Sequence, residues 1–125
     1  AGNLMAVIAQ RLVRKLCLSC KQVRRMNSYE AVLLGLEIPS RLRVPKGCEL
    51  CQKTGYRGRV AIAEILVFDP DLDELLITST SRLPLKHLAQ KKGYIPMGQD
   101  ARQRVLKGDT SLEEVLRSID LREGI

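Results

Sequence analysis

The chain has 125 residues, a mass of 14.0 kDa, 45% hydrophobic against 28% charged residues, and a formal net charge of +7. That length holds one domain with a modest core, and 3% aromatics with no tryptophan make the core aliphatic. No apolar run approaches the roughly 20 residues that cross a bilayer, so a soluble chain is expected.

Residues 3–16 read as a helix, with Met5, Ile8, Leu12 and Leu16 on one stripe. Arg11, Arg14 and Lys15 fall on its far face or last turn, where cations suit a helix C-terminus. A first cysteine pair, Cys17-Leu18-Ser19-Cys20, follows at once. Asn27 with Glu30 forms a capping box for a short helix over 28–36, with Val32, Leu33 and Leu36 inward and Gly35 keeping it brief. Pro39 and Pro45 bracket Arg41-Leu42-Arg43-Val44, whose alternation predicts a short edge strand. Gly47 then frees the turn into a second pair, Cys48-Glu49-Leu50-Cys51.

A glycine-punctuated turn over 54–59 feeds a strand over 60–68 that is apolar on both faces, as a strand covered on both sides would be. Only Glu64 breaks the run. A buried carboxylate needs a partner, and Arg57 or Arg59 is the expected one, in a structural ion pair. The remainder reads as helical. Asp69-Pro70 opens a helix to about residue 78, and Leu85, Leu88 and Ala89 mark a second that ends at Lys91-Lys92-Gly93. A third runs from Met97 to Lys107 and stops at Gly108; Thr110 with Glu113 caps a fourth, whose stripe is Leu112, Val115, Leu116 and Ile119. The expected fold is α+β and mainly helical: a small tetracysteine module with a short β-hairpin, pinned by zinc, followed by a C-terminal helical bundle.

All four cysteines fall into the two pairs, with residues 21–47 between them. Two thiolates at i and i+3 of a tight knuckle can point at one metal, and two knuckles complete the tetrahedral shell of a structural zinc. Cys17, Cys20, Cys48 and Cys51 are therefore the candidate ligands. Two disulfides or a redox dithiol are the alternatives; the first suits a smaller secreted domain, and the second leaves one pair unexplained. Chaperone zinc repeats place glycine two residues after the second cysteine of a pair, where this chain has Lys53. Arg14, Lys15, Lys21, Arg24, Arg25, Lys46 and Lys53 lie near the knuckles in sequence, where they offset the −2 of a tetrathiolate centre or, alternatively, form a nucleic-acid or acidic-lipid surface. Such a metal would clamp two segments joined only by the long loop, while the helices over 70–119 bury their own leucine stripes. No phosphate-binding loop or catalytic triad is present in the sequence, and His87 reads as a surface residue.

Two stretches carry a resemblance. One is Ala9-Gln10-Arg11-Leu12-Val13-Arg14-Lys15-Leu16-Cys17 with Cys20, and the other is Gly47-Cys48 with Cys51, Thr54-Gly55-Tyr56-Arg57-Gly58-Arg59-Val60, Ile62 and Glu64-Ile65-Leu66. Together with the closing run from Lys107 to Arg117 they resemble the C-terminal, zinc-bearing region of the ATPases that power type II secretion and type IV pilus assembly. The resemblance implies a cytoplasmic hexameric ATPase, peripheral at the inner membrane, with two RecA-related lobes and with ATP and magnesium bound upstream. Residues 1–16 would then end the catalytic lobe as a helix, 17–58 form the zinc module, and 59–125 supply a strand and the terminal helices. Only the four cysteines transfer residue by residue; no catalytic or nucleotide-binding residue does, and Leu18-Ser19 fills the first knuckle where the family often has Pro-His. The implied partners are neighbouring subunits and inner-membrane platform proteins, with no specific nucleic acid. A free-standing zinc ribbon that binds nucleic acid is the alternative, weakened by four aromatics, too few for a stacking platform.

Overall fold

The computed structural model describes residues 5–68 and 96–122. The helices expected over 70–78 and around Leu85, Leu88 and Ala89, together with His87, lie outside the described residues. Met5–Leu16 is a strand, β1, not a helix. Its sequence is apolar at both odd and even positions and rich in β-branched Val7, Ile8 and Val13, so strand and helix periods fit it equally. The partner decides: β1 pairs antiparallel with Tyr56–Phe68 (β4), with Ile8 opposite Ile65, Leu12 opposite Ala61 and Val13 opposite Val60. The register shifts between Arg14 and Leu16, just ahead of the first cysteine.

The ribbon has one covered face. Val13 and Ile62 are buried on it, whereas Ile8, Leu12 and Ile65 on the other face are 60%, 62% and 46% exposed. The expectation of a β4 covered on both faces is thereby corrected. A second antiparallel pair joins Gln22–Arg25 (β2) to Arg41–Val44 (β3), the short strand expected from the alternation. Between them Ser28–Leu33 forms helix α1, opened by the expected capping box: the Asn27 side chain accepts from the Glu30 N–H at 2.8 Å, and the Glu30 carboxylate accepts from the Asn27 N–H at 2.8 Å. It buries Ala31 and Leu33, while Val32 is half exposed.

Helix α2, Met97–Lys107, closes on a left-handed Gly108 as expected. It is tied to β4 twice. The Ala63 N–H donates to the Asp100 carboxylate at 2.9 Å, and the Glu64 carboxylate accepts from the Met97 N–H at 3.0 Å. Glu64 is thus satisfied by a backbone N–H at a helix start, where a carboxylate is favoured, and forms no ion pair with Arg57 or Arg59. The last helix, α3, spans Leu112–Leu116, and its cap is Ser111, whose hydroxyl accepts from the Glu114 N–H at 3.0 Å. Thr110, the expected cap, is fully buried and donates to the Arg14 carbonyl at 2.7 Å.

One core results. Val13 and Ile62 from the ribbon, Met26, Leu33 and Leu42 from the cysteine-bearing half, and Val105, Val115 and Leu121 from the C-terminal half belong to a single buried cluster. Two expectations change. The described residues hold more strand than helix, so the fold is α+β without being mainly helical. The two cysteine pairs also lie on segments that β1 and β4 already bring together, so a metal is not their sole link.

Candidate metal centre

Each cysteine pair sits in a tight turn held by its own backbone. In the first, the Lys21 N–H donates to the Cys17 carbonyl at 3.0 Å, and the Cys17 N–H donates across to Gly55 at 3.0 Å. In the second, the Lys53 N–H donates to the Cys48 carbonyl at 2.8 Å. That turn runs through two left-handed residues, Gln52 at φ 56° and Lys53 at φ 66°. Glycine flanks it where a side chain cannot fit: at Gly47, φ 108°, a Cβ would lie 2.8 Å from the Lys53 carbonyl oxygen, and at Gly55, φ 86°, it would overlap the Pro45 ring. These contacts close the flanks of the second knuckle on each other, and the first knuckle meets it through the bond from the Cys17 N–H to the Gly55 carbonyl.

The four sulfurs converge within 4.8 Å of one another. Cys17 to Cys48 is 3.7 Å, Cys20 to Cys51 is 3.8 Å and Cys48 to Cys51 is 3.6 Å. A disulfide needs about 2.05 Å, so these are four free thiols, and the alternative of two disulfides is not formed. A tetrahedral ion with metal–sulfur bonds of about 2.3 Å separates its sulfurs by about 3.8 Å, close to the spacing of these three pairs. Cys17 and Cys51 are buried and the other two half-buried.

Backbone N–H groups aim at the sulfurs as well. Gly47 donates to Cys20 at 3.3 Å, and Cys48 and Gly55 donate to Cys51 at 3.1 and 3.2 Å. These donors favour thiolate. Burial pushes the Cys51 thiol up, but the Cys48 and Gly55 N–H groups and the neighbouring thiols outweigh it and bring it down to about 6. Burial, joined by the neighbouring thiols, raises Cys20 to about 11 against the lowering effect of the Gly47 N–H. A divalent cation would supply the charge that holds all four as thiolates. The residues present thus fit a four-sulfur metal site.

The nearby cations serve separate purposes. Arg14 makes a two-pronged contact with Glu114 at 2.7 and 3.2 Å and stacks 4.2 Å over the Tyr56 ring. Arg24 pairs with Glu30 at 2.6 Å, Lys53 with Glu49 at 3.0 Å, and Lys21 donates to the Gly108 carbonyl at 3.0 Å. Arg25, Lys15 and Lys46 make no ion pair among the described residues.

The sequence pattern points to the four cysteines that converge here, but not to what supports them. Asp109, Thr110, Ser111 and Glu114 brace the approach to the first knuckle: Leu16 N–H donates to the Asp109 carbonyl at 2.9 Å, Arg14 N–H to the Glu114 carboxylate at 3.1 Å, and the Tyr56 and Ser111 hydroxyls meet at 2.7 Å. These contacts join residues up to a hundred positions apart, and no local pattern signals them.

The family model for type II/IV secretion system proteins matches residues 1–117. Type II secretion system protein E of Aeromonas hydrophila is 41% identical over 120 residues, covering 94% of this chain and 24% of the relative. Type IV pilus assembly ATPase TfpB of Acinetobacter baylyi is 37% identical over 125 residues, 97% of this chain and 21% of the relative. Type IV pilus assembly ATPase PilB of Thermus thermophilus is 38% identical over 124 residues, 93% of this chain and 14% of the relative. The chain thus spans a quarter or less of the length of these relatives. Their names do not favour the nucleic-acid module. With a match along nearly its whole length, the chain belongs to the type II/IV secretion system protein family.

Proposed function

We propose that this chain is the zinc-clamped C-terminal region of an ATPase that powers type II secretion or type IV pilus assembly. The observation that carries the zinc assignment is the sulfur spacing of 3.6–3.8 Å across three pairs, which suits a four-coordinate zinc with no open position. Cys17, Cys20, Cys48 and Cys51 are its ligands, and its role is structural. The names of the relatives support the motor context. In that context ATP and magnesium bind in the upstream part of the parent, which works as a homohexamer in the cytoplasm, peripheral to the inner membrane. Its partners are neighbouring subunits and the platform proteins of the machine.

Phosphoryl transfer needs a phosphate cradle, a lysine and a metal, and this sequence has no glycine-rich loop ending in Lys-Ser or Lys-Thr. The isolated chain should therefore show no ATP turnover above buffer. In a full-length parent, Cys48→Ser should lower secretion or piliation through misassembly while nucleotide still binds. Turnover that co-purifies with the isolated chain through successive columns would refute the assignment, as would a Cys48→Ser parent that assembles normally without metal.

A further inference from the structure

One face of the β2–β3 hairpin carries two arginines, Arg25 and Arg41, that form no ion pair among the described residues. Arg25 lies directly opposite Arg41 in the antiparallel register, and Val23 opposite Arg43. Alternate residues share a face, so these four side chains lie together, while Leu42 on the other face is buried and Arg24 is engaged by Glu30. Like charges directly opposite each other destabilise a strand pair. Among the described residues neither Arg25 nor Arg41 has an acidic partner within ion-pair distance, a state shared with Arg11, Arg43, Arg57 and Arg59; what sets the two apart is that they face each other across the strand pair.

The two arginines, with Pro39 and Ser40, line a cleft of about 460 Å³. Beside it stand Ile38, 78% exposed, and Val23, 51% exposed. We propose that this cleft docks a carboxylate-bearing segment of a partner protein, with an Asp or Glu side chain held between Arg25 and Arg41 and an adjoining apolar residue against Val23 and Ile38. Directly opposed residues stand about 5 Å apart, near enough for two guanidinium forks to grip one carboxylate, and such bidentate contacts carry geometric specificity beyond charge. Arginine is the charged residue that protein interfaces favour. A lipid headgroup surface is instead read by clusters of about 4–8 cations, and single-stranded nucleic acid by aromatic platforms; the cleft offers two arginines and no aromatic residue. The proposal stands independently of the motor assignment.

The test uses the full metal-loaded 125-residue chain and a defined probe, a short blocked peptide of alternating glutamate and leucine, at physiological ionic strength. Arginine side-chain N–H resonances report binding. Saturable shifts of Arg25 and Arg41 are expected, with the Arg11 resonance unmoved, and the Arg25→Lys/Arg41→Lys double variant should bind at least 5-fold more weakly although its charge and fold are unchanged. Equal affinity of that variant would reduce the surface to general electrostatics and overturn the proposal. So would the absence of shifts with the peptide, or tighter Arg25- and Arg41-dependent binding to vesicles of phosphatidylcholine and phosphatidylglycerol or to duplex DNA.

Discussion

Lys53 holds a left-handed backbone, φ 66°, at the place where chaperone zinc repeats carry glycine. A side chain there costs about 1–2 kcal/mol relative to an unstrained position, and the surface pair with Glu49, both partners well exposed, returns little of it. Lys53→Gly should raise stability by about 0.5–1 kcal/mol with metal retention unchanged, read by denaturant unfolding. A loss of stability would mean that the Lys53 side chain does more than its contacts show. Glu114 behaves differently. It is nearly buried, and the Arg14 guanidinium and backbone N–H hold its carboxyl below the usual range. Because the folded value is the lower one, its contribution is complete above the unfolded pKa of about 4.3 and fades as pH falls through the folded value. Glu114→Gln should therefore cost about 1 kcal/mol at pH 7, with the difference from the wild type closing as the pH drops below about 4. A gap that stays constant down to pH 2 would contradict the ion-pair account.

At the scale of elements, local chemistry was legible where it is self-contained. The Asn27–Glu30 capping box, the Arg41–Val44 alternation and the Gly108 stop all act through neighbours in sequence, and each appears where expected. β1 was not legible, because its apolar residues satisfy a 3.6-residue period and a two-residue period alike; pairing with β4, whose partners lie 40 to 63 positions on, settles it. The same reason explains Thr110 and Glu64. A Thr-x-x-Glu pattern looks like a cap, but Thr110 is drawn to the Arg14 carbonyl and Ser111 takes over the cap. Glu64 had two arginines close in sequence, yet α2 presents the Met97 N–H at 3.0 Å. The four cysteines were legible because identical spacing in both pairs is a strong local signal; the bond from the Gly47 N–H to Cys20 was not, since it joins the two knuckles across 27 positions.

For the whole molecule, the single core changes what metal loss should do. Residues 108–114 are bonded to Arg14, Leu16 and Lys21, which flank the first knuckle, and α2 and α3 share a buried cluster with α1 and β3. Structural zinc contributes on the order of 10 kcal/mol, comparable to the whole stability of a domain this size. Chelation should thus release amide protection in α3 together with that of the two knuckles, within the same kinetic phase of hydrogen exchange. Full protection of Val115 and Leu116 after the knuckles have exchanged would show that the C-terminal half folds by itself. X-ray absorption at the zinc edge, with metal content measured on the same sample, decides whether the four cysteines hold a metal. The account predicts one zinc per chain surrounded by four sulfurs at about 2.3 Å with no nitrogen or oxygen neighbour. A folded chain that holds no zinc, or a zinc shell of fewer than four sulfurs, would contradict it.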